Sequence, residues 1–164
     1  MRLIPVLLLA LFLAACAAEA PAPGDPPTPA TPTASVEADP DLPAVTVYKT
    51  PTCGCCSLWV DHLEANGFPV EVQDVESLTA IKQQYGIPAQ LQSCHTAVVD
   101  GYIVEGHVPA EDVKRLLAEQ PEAAGLAVPG MPIGSPGMEV PGREPDRYAV
   151  YFVDDGEATV FAEH

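Results

Sequence analysis

Residues 45–63 read Val45-Thr-Val-Tyr-Lys-Thr-Pro-Thr-Cys-Gly-Cys-Cys-Ser-Leu-Trp-Val-Asp-His-Leu63. The run 45–48 is β-branched and aromatic, which predicts a strand. Pro51 then breaks the pattern and opens a loop. Cys56, Trp59, Val60 and Leu63 recur at i, i+3, i+4 and i+7, the spacing of one apolar helix face. Asn66-Gly67 supplies the stop. A strand therefore feeds, through a short loop, a helix that begins at a cysteine cluster.

The flanking sequence extends this unit. Val70-Glu-Val-Gln-Asp74 alternates as a second strand. Ser77 can cap a second helix carrying Leu78, Ile81 and Tyr85, which Gly86 and Pro88 stop. Thr96-Ala-Val-Val99, Asp100-Gly101 and Tyr102-Ile-Val104 predict a hairpin with an Asp-Gly turn. Pro109 opens a third helix, with Glu111 and Asp112 in its first turn and Val113, Leu116 and Leu117 on its core face. Residues 128–142 form a Pro/Gly-rich loop in which Pro-Gly-Met occurs twice, at Met131 and Met138. Tyr148-Ala-Val-Tyr-Phe-Val153 and Thr159-Val-Phe161 read as strands around Asp155-Gly156, either extending the sheet edge or covering it as a hairpin. The expected fold is α/β: a thioredoxin/glutaredoxin-like β-α-β-α-β-β-α domain over residues 44–164, with an added Met/Gly/Pro-rich loop and a C-terminal β-hairpin.

The N-terminal quarter reads as export and tethering. Met1-Arg2 is a short basic start, and residues 3–13 are an apolar run too short to span a bilayer comfortably. The string Leu13-Ala14-Ala15-Cys16 resembles a bacterial lipobox. Residues 1–15 are thus expected to be a lipoprotein signal peptide, with Cys16 lipidated and anchoring the chain to a membrane. Ala17 rather than Asp follows Cys16, the pattern of outer-membrane rather than inner-membrane sorting, on the periplasmic side. Residues 16–43 are Ala/Pro/Thr-rich without apolar periodicity and are expected to be a disordered tether. With 7 basic against 23 acidic residues, a net charge of −16 argues against nucleic acid as a partner.

The chemistry lies in sulfur. Cys53 and Cys56 stand i, i+3 at a helix start, where unpaired N–H groups and the positive dipole end stabilise a thiolate. That geometry suits a redox dithiol or a metal-binding dithiolate. Cys55 adds a sulfur that a dithiol enzyme does not need. Cys94 lies just before the third strand, in Gln92-Ser93-Cys94-His95-Thr96, where thioredoxin-like folds carry a cis-proline and this chain has none. His95 shares a face with Cys94 only if the backbone bends. His107, between a strand and a helix, reads equally as ligand or as capping residue, while His62 falls on the polar flank of the first helix. Convergent thiolates select Cu(I), Zn(II) or an iron–sulfur cluster, and thioether ligands from Met131 or Met138 favour Cu(I) over zinc.

Five strings carry a family resemblance: Tyr48-Lys-Thr-Pro-Thr-Cys-Gly-Cys-Cys56, Trp59-Val-Asp-His-Leu63, Ser93-Cys-His-Thr-Ala97, Glu105-Gly-His-Val-Pro-Ala110 and Val128-Pro-Gly-Met-Pro-Ile-Gly-Ser-Pro-Gly-Met138. Together they resemble the bacterial DUF411 family of CopG-type copper-resistance proteins. The resemblance implies a periplasmic, thioredoxin-like, copper-binding protein with a role in copper redox. By motif it implies Cys53, Cys55, Cys56, Cys94, His107, Met131 and Met138 as copper ligands. The expected function is an envelope protein that holds Cu(I), as one ion or as a multinuclear cluster, and contributes to copper resistance alongside other envelope copper-handling proteins. Copper-dependent oxidoreductase activity is one form of it. A thiol–disulfide oxidoreductase using Cys53 and Cys56 is the alternative, and an iron–sulfur carrier a third reading.

Overall fold

Along β1 (Val45–Lys49) the side chains alternate between buried and half-buried, with Val45 and Val47 fully enclosed. That alternation is the two-residue period of a strand with one face on a core. The computed structural model describes residues 38–154 and 158–164, which belong to one compact unit, Ala34–His164. The signal-peptide segment, Cys16, the tether up to residue 37 and the Asp155-Gly156 turn lie outside the described residues.

The expected element order is present. From β1 the chain passes through α1 (Gly54–Ala65) to β2 (Val70–Asp74), which lies parallel to β1 with Val45 opposite Val70 and Lys49 opposite Asp74. The buried face of α1 is Cys56, Trp59, Val60 and Leu63, as the spacing predicts. Its end is a Schellman motif: Phe68 N–H donates to Leu63 O and Gly67 N–H to Glu64 O. Then come α2 (Thr79–Gln84), a 3₁₀ turn (Ala89–Leu91), β3 (Thr96–Val99), β4 (Tyr102–Glu105) and α3 (Ala110–Glu119). Strand β3 runs antiparallel to β1 and β4 antiparallel to β3. At the β3–β4 turn both Asp100 and Gly101 adopt positive φ, as a two-residue hairpin of this twist requires.

The C-terminal part continues the sheet. β5 (Gly125–Ala127) pairs with β4, β6 (Ala149–Val153) with β5, and β7 (Val160–Glu163) with β6. The order is β2-β1-β3-β4-β5-β6-β7. The two C-terminal strands therefore extend the sheet edge, and they do so through β5, a three-residue strand with too little sequence to show a period. Arg115 of α3 ties β7 back by donating to the Phe161 carbonyl (2.8 Å). Among the described residues no helix is long and apolar enough to cross a membrane.

Alternation on the strands divides the packing between two faces. Ala97, Val99, Val104 and Leu126 pack with Trp59, Leu63 and Leu116, beneath α1 and α3. Ile103, Ala127 and Val153 form a smaller cluster on the other face with Ile87 and Leu91, downstream of α2. Two hydrogen bonds join α1 to the start of α3. Trp59 Nε1–H donates to Val108 O (2.8 Å), and Ala110 N–H donates to His62 Nε2 (3.1 Å). His62, expected on a polar flank, instead accepts an N–H at a helix start, a role open only to the neutral ring. Burial lowers its pKa against the opposing pull of Glu139 and Glu111.

Because the folded state prefers neutral His62, the unfolded chain binds more protons below the ordinary value of 6.5. His62's share of stability is complete above that pH and is lost as the pH falls through the lower folded value. Urea unfolding of the metal-free protein should show a midpoint that declines on acidification from neutrality. His62→Gln should make that decline shallower, the remaining imidazoles leaving a residual slope.

Candidate metal centre

The first wall is the start of α1. Cys53 occupies the N-cap position with extended backbone (φ −78°), and the first turn contains no acid. The free N–H groups and dipole of that turn favour negative charge on sulfur. Cys53 and Cys56 are joined by a disulfide, with their Cα atoms 5.3 Å apart, while Cys55 and Cys94 are free thiols. Cys55 Sγ lies 3.6 Å from Cys53 Sγ, and Cys56 Sγ lies 3.5 Å from Cys94 Sγ. Cys56 is buried beneath the helix, whereas Cys53 and Cys55 are half-buried at its mouth.

The second wall is the approach to β3. The chain bends at Cys94, and the strand begins only at Thr96. Cys94 and His95 consequently converge instead of pointing to opposite faces: Cys94 Sγ is 3.3 Å from His95 Nδ1 and 3.0 Å from His107 Nε2. His107 follows β4 and is fully buried. Its Nδ1–H donates to Pro136 O (2.8 Å), which leaves the Nε2 lone pair facing Cys94. Burial lowers its pKa, outweighing the help of that carbonyl and of Glu139. His95 is enclosed between Trp59 and His107, with ring centroids 4.4 Å and 5.1 Å away. Burial first, then His107 and Lys82, hold its pKa far below the ordinary value. Its Nε2 is a buried nitrogen without a hydrogen-bond partner among the described residues. The Cys94 thiol is pushed up to about 12, mainly by burial and then by Cys55. Without a cation, burial thus favours the neutral forms of Cys94, His95 and His107 in the second wall.

Loop 128–142 closes over both walls. Gly130 forms a parallel bridge with Ser93, next to Cys94. Pro136 holds His107, and Gly137 lies on the first turns of α1. With φ at +81°, a Cβ on Gly137 would sit 2.8 Å from both Cys55 O and Trp59 N. Met131 is 51% exposed beside Gly130, and Met138 is half-buried beside Gly137. The methionines thus flank the points where the loop touches the walls, and Met131 is open to solvent.

Of the residues singled out from sequence, Cys53, Cys55, Cys56 and Cys94 form one group whose sulfurs all lie within 4.8 Å of one another. Cys94, His95 and His107 form a second group within the same limit. Cys94 belongs to both. The ligand atom sequence reasoning left conditional is that of His95. The bend that recruits it has only one sequence signal, the lack of strand-forming residues in Gln92-Ser93. Buried Lys82 and Glu105 behind the bend have no signal in the sequence, because a charge in an apolar strand does not announce its partner.

An α/β domain that sets a helix-start cysteine cluster against a Cys-His bend belongs to the class of proteins with a combined thiol and imidazole centre. The family model "Protein of unknown function, DUF411" matches residues 91–138. Two solved structures of copper resistance protein CopG, form 1 and form 2, are each 46% identical to this chain. Each match covers 76% of this chain, with 98% and 99% of the CopG chains and TM-scores of 0.70 and 0.71. The chain belongs to this DUF411/CopG family. No curated protein matches it.

Gly137→Ala should destabilise the fold by more than about 1 kcal/mol, because both the left-handed backbone and the contact with α1 exclude a side chain. A lowered urea midpoint would register it. An unchanged midpoint would show that the loop does not seat on α1.

Proposed function

We propose that the chain is a lipid-anchored protein of the bacterial envelope that holds copper as Cu(I) and contributes to copper resistance. The observation that carries the reading is the convergence of Cys94 on Cys53, Cys55 and Cys56, with two neutral imidazoles behind it. The two solved structures 46% identical to this chain are of a copper resistance protein. Soft sulfur donors with imidazole are the set that Cu(I) prefers. The buried, protonated Cys94 is no obstacle, since a bound cation reverses the local preference and releases the proton.

In this reading Cys53, Cys55, Cys56 and Cys94 supply thiolates and His107 supplies Nε2. His95 adds a further buried nitrogen, and Met131 and Met138 offer thioethers at the rim. Cys94, shared by the two groups, suits more than one ion. Opening the Cys53–Cys56 disulfide takes two electrons and two protons and yields two more thiols, so the reduced protein has the larger donor set. One-electron cycling between Cu(I) and Cu(II) is the chemistry the ion itself supplies. Cys16 carries the acyl anchor, and residues 17–43 give reach from the outer membrane into the periplasm.

The disulfide favours a second reading, a thiol–disulfide oxidoreductase. An incoming thiolate would attack Cys53, the more accessible sulfur, form a mixed disulfide and release Cys56 as thiolate. The surplus Cys55 and the Cys94–His107 wall have no task in that chemistry.

Anaerobic titration of the reduced protein with Cu(I) against a chromophoric competitor, with elemental analysis, separates the readings. Tight copper is expected, with Cys94→Ser losing affinity by at least about tenfold and Met131→Leu and Met138→Leu losing less. The oxidised protein should bind fewer ions. No copper, together with turnover in insulin reduction, would establish the second reading, and bound iron with labile sulfide would displace both. Cys16→Ser should move the protein from the membrane fraction to the soluble one.

A further inference from the structure

Two charged side chains are buried behind the bend. Lys82 of α2 is 7% exposed and Glu105 of β4 is 0% exposed, and they form an ion pair. Withdrawing such a pair from water is no more stabilising than packing apolar side chains of the same size, and often less so. Stability alone therefore gives no reason for it. The partners of the carboxylate do. Glu105 Oε1 accepts Ser93 N–H (2.6 Å), and Oε2 accepts the Thr96 hydroxyl (2.7 Å). Ser93 and Thr96 are the two ends of Ser93-Cys94-His95-Thr96. One carboxylate thus spans the whole bend from behind.

Lys82 completes the clamp. Its ammonium touches Glu105 Oε1 and donates to Thr96 Oγ1 (3.1 Å), so the hydroxyl that binds the carboxylate is itself fixed. Elsewhere the bend is held at the main chain by Gly106 N–H donating to His95 O (3.1 Å) and at Ser93 Oγ by Gly130 O. Gly106 sits between Glu105 and His107 at φ +72°. A Cβ there would collide with the Ser93 side chain and lie 2.7 Å from Val128 O, so the bend packs directly on the bare backbone of Gly106. The residue that grips the bend is therefore two positions from His107 on the same strand end.

The structure assigns to Glu105, with Lys82 as its counter-ion, the role of positioning residue that sets Cys94 against His107. This deepens the copper reading, but only its metal arm rests on that reading.

The test compares two variants of the full chain. Lys82→Met combined with Glu105→Leu replaces the ion pair with an apolar pair and removes the acceptor for Ser93 N–H. Glu105→Gln keeps an acceptor oxygen and leaves the Lys82 charge uncompensated. In the metal-free protein with the Cys53–Cys56 disulfide intact, well below the unfolding midpoint, iodoacetamide labelling of Cys94 relative to Cys55 is followed by peptide mapping. The double variant should have a urea midpoint at or above that of Glu105→Gln, yet Cys94 should be alkylated several-fold faster than in wild type. Glu105→Gln should be the less stable variant with Cys94 protection close to wild type. A purely structural role would make reactivity track stability, the opposite order. In the reduced protein the double variant should lose Cu(I) affinity by about tenfold to a hundredfold. Wild-type Cys94 reactivity in the folded double variant would overturn the assignment, as would equal release of Cys94 by both variants. Should the double variant not fold, Glu105→Ala takes its place in the same folded-state labelling: faster Cys94 alkylation upholds the assignment and wild-type alkylation overturns it. Failure of wild type to bind copper removes the copper reading, while the labelling result still decides the clamp.

Discussion

A regular β-strand sends consecutive side chains to opposite faces. The centre of this protein depends on breaking that rule once, at Cys94 and His95. If β3 began two residues earlier, one of these side chains would face the α1 side and the other the α2 side. Cys94 would then lose either Cys56 or His107 as a neighbour. Because the strand starts at Thr96, both side chains reach the pocket under α1. The surroundings serve that irregularity. Glu105 holds its ends, Gly106 its middle, and Gly130 its outer flank.

The electrostatics of the pocket follow from burial. Enclosure raises the thiol of Cys94 and lowers the imidazoles of His95 and His107, so every group is pushed toward its neutral form. Neutral imidazole is the ligand form, and neutral thiol becomes the ligand form only when a cation compensates its charge. The pocket therefore stays uncharged until something positive enters. Across a few ångströms from Cys94, at the start of α1, stand the Cys53–Cys56 disulfide and the half-buried Cys55.

Much of the fold is legible from spacing alone. The face Cys56, Trp59, Val60 and Leu63, the alternation in Val70–Asp74 and the Asp100-Gly101 turn each carry their own local instruction, and the structure follows them. β5 does not, because three residues cannot display a period and its place is fixed by pairing with β4 and β6. The cysteines of the centre are legible as residue types clustered at a helix start. Their geometry is less so. Whether His95 joins Cys94 depends on where a strand begins, and that is decided by Glu105, ten residues away in sequence and anchored by Lys82 on another helix. His62 shows the same limit: helical spacing places it on a flank, but only the docking of α3 makes it an acceptor for Ala110.

The added strands matter to what can approach. Without β5, β6 and β7, the outer edge of the sheet would be β4, whose end leads into His107. An open edge there would let an extended polypeptide add itself as a further strand and lie alongside the centre. The extension moves that edge three strands outward, to β7. A visiting chain that pairs with the β7 edge lies three strands from β4 and from His107 at its end. Strand pairing on that side of the sheet is thereby kept away from the residue that faces Cys94.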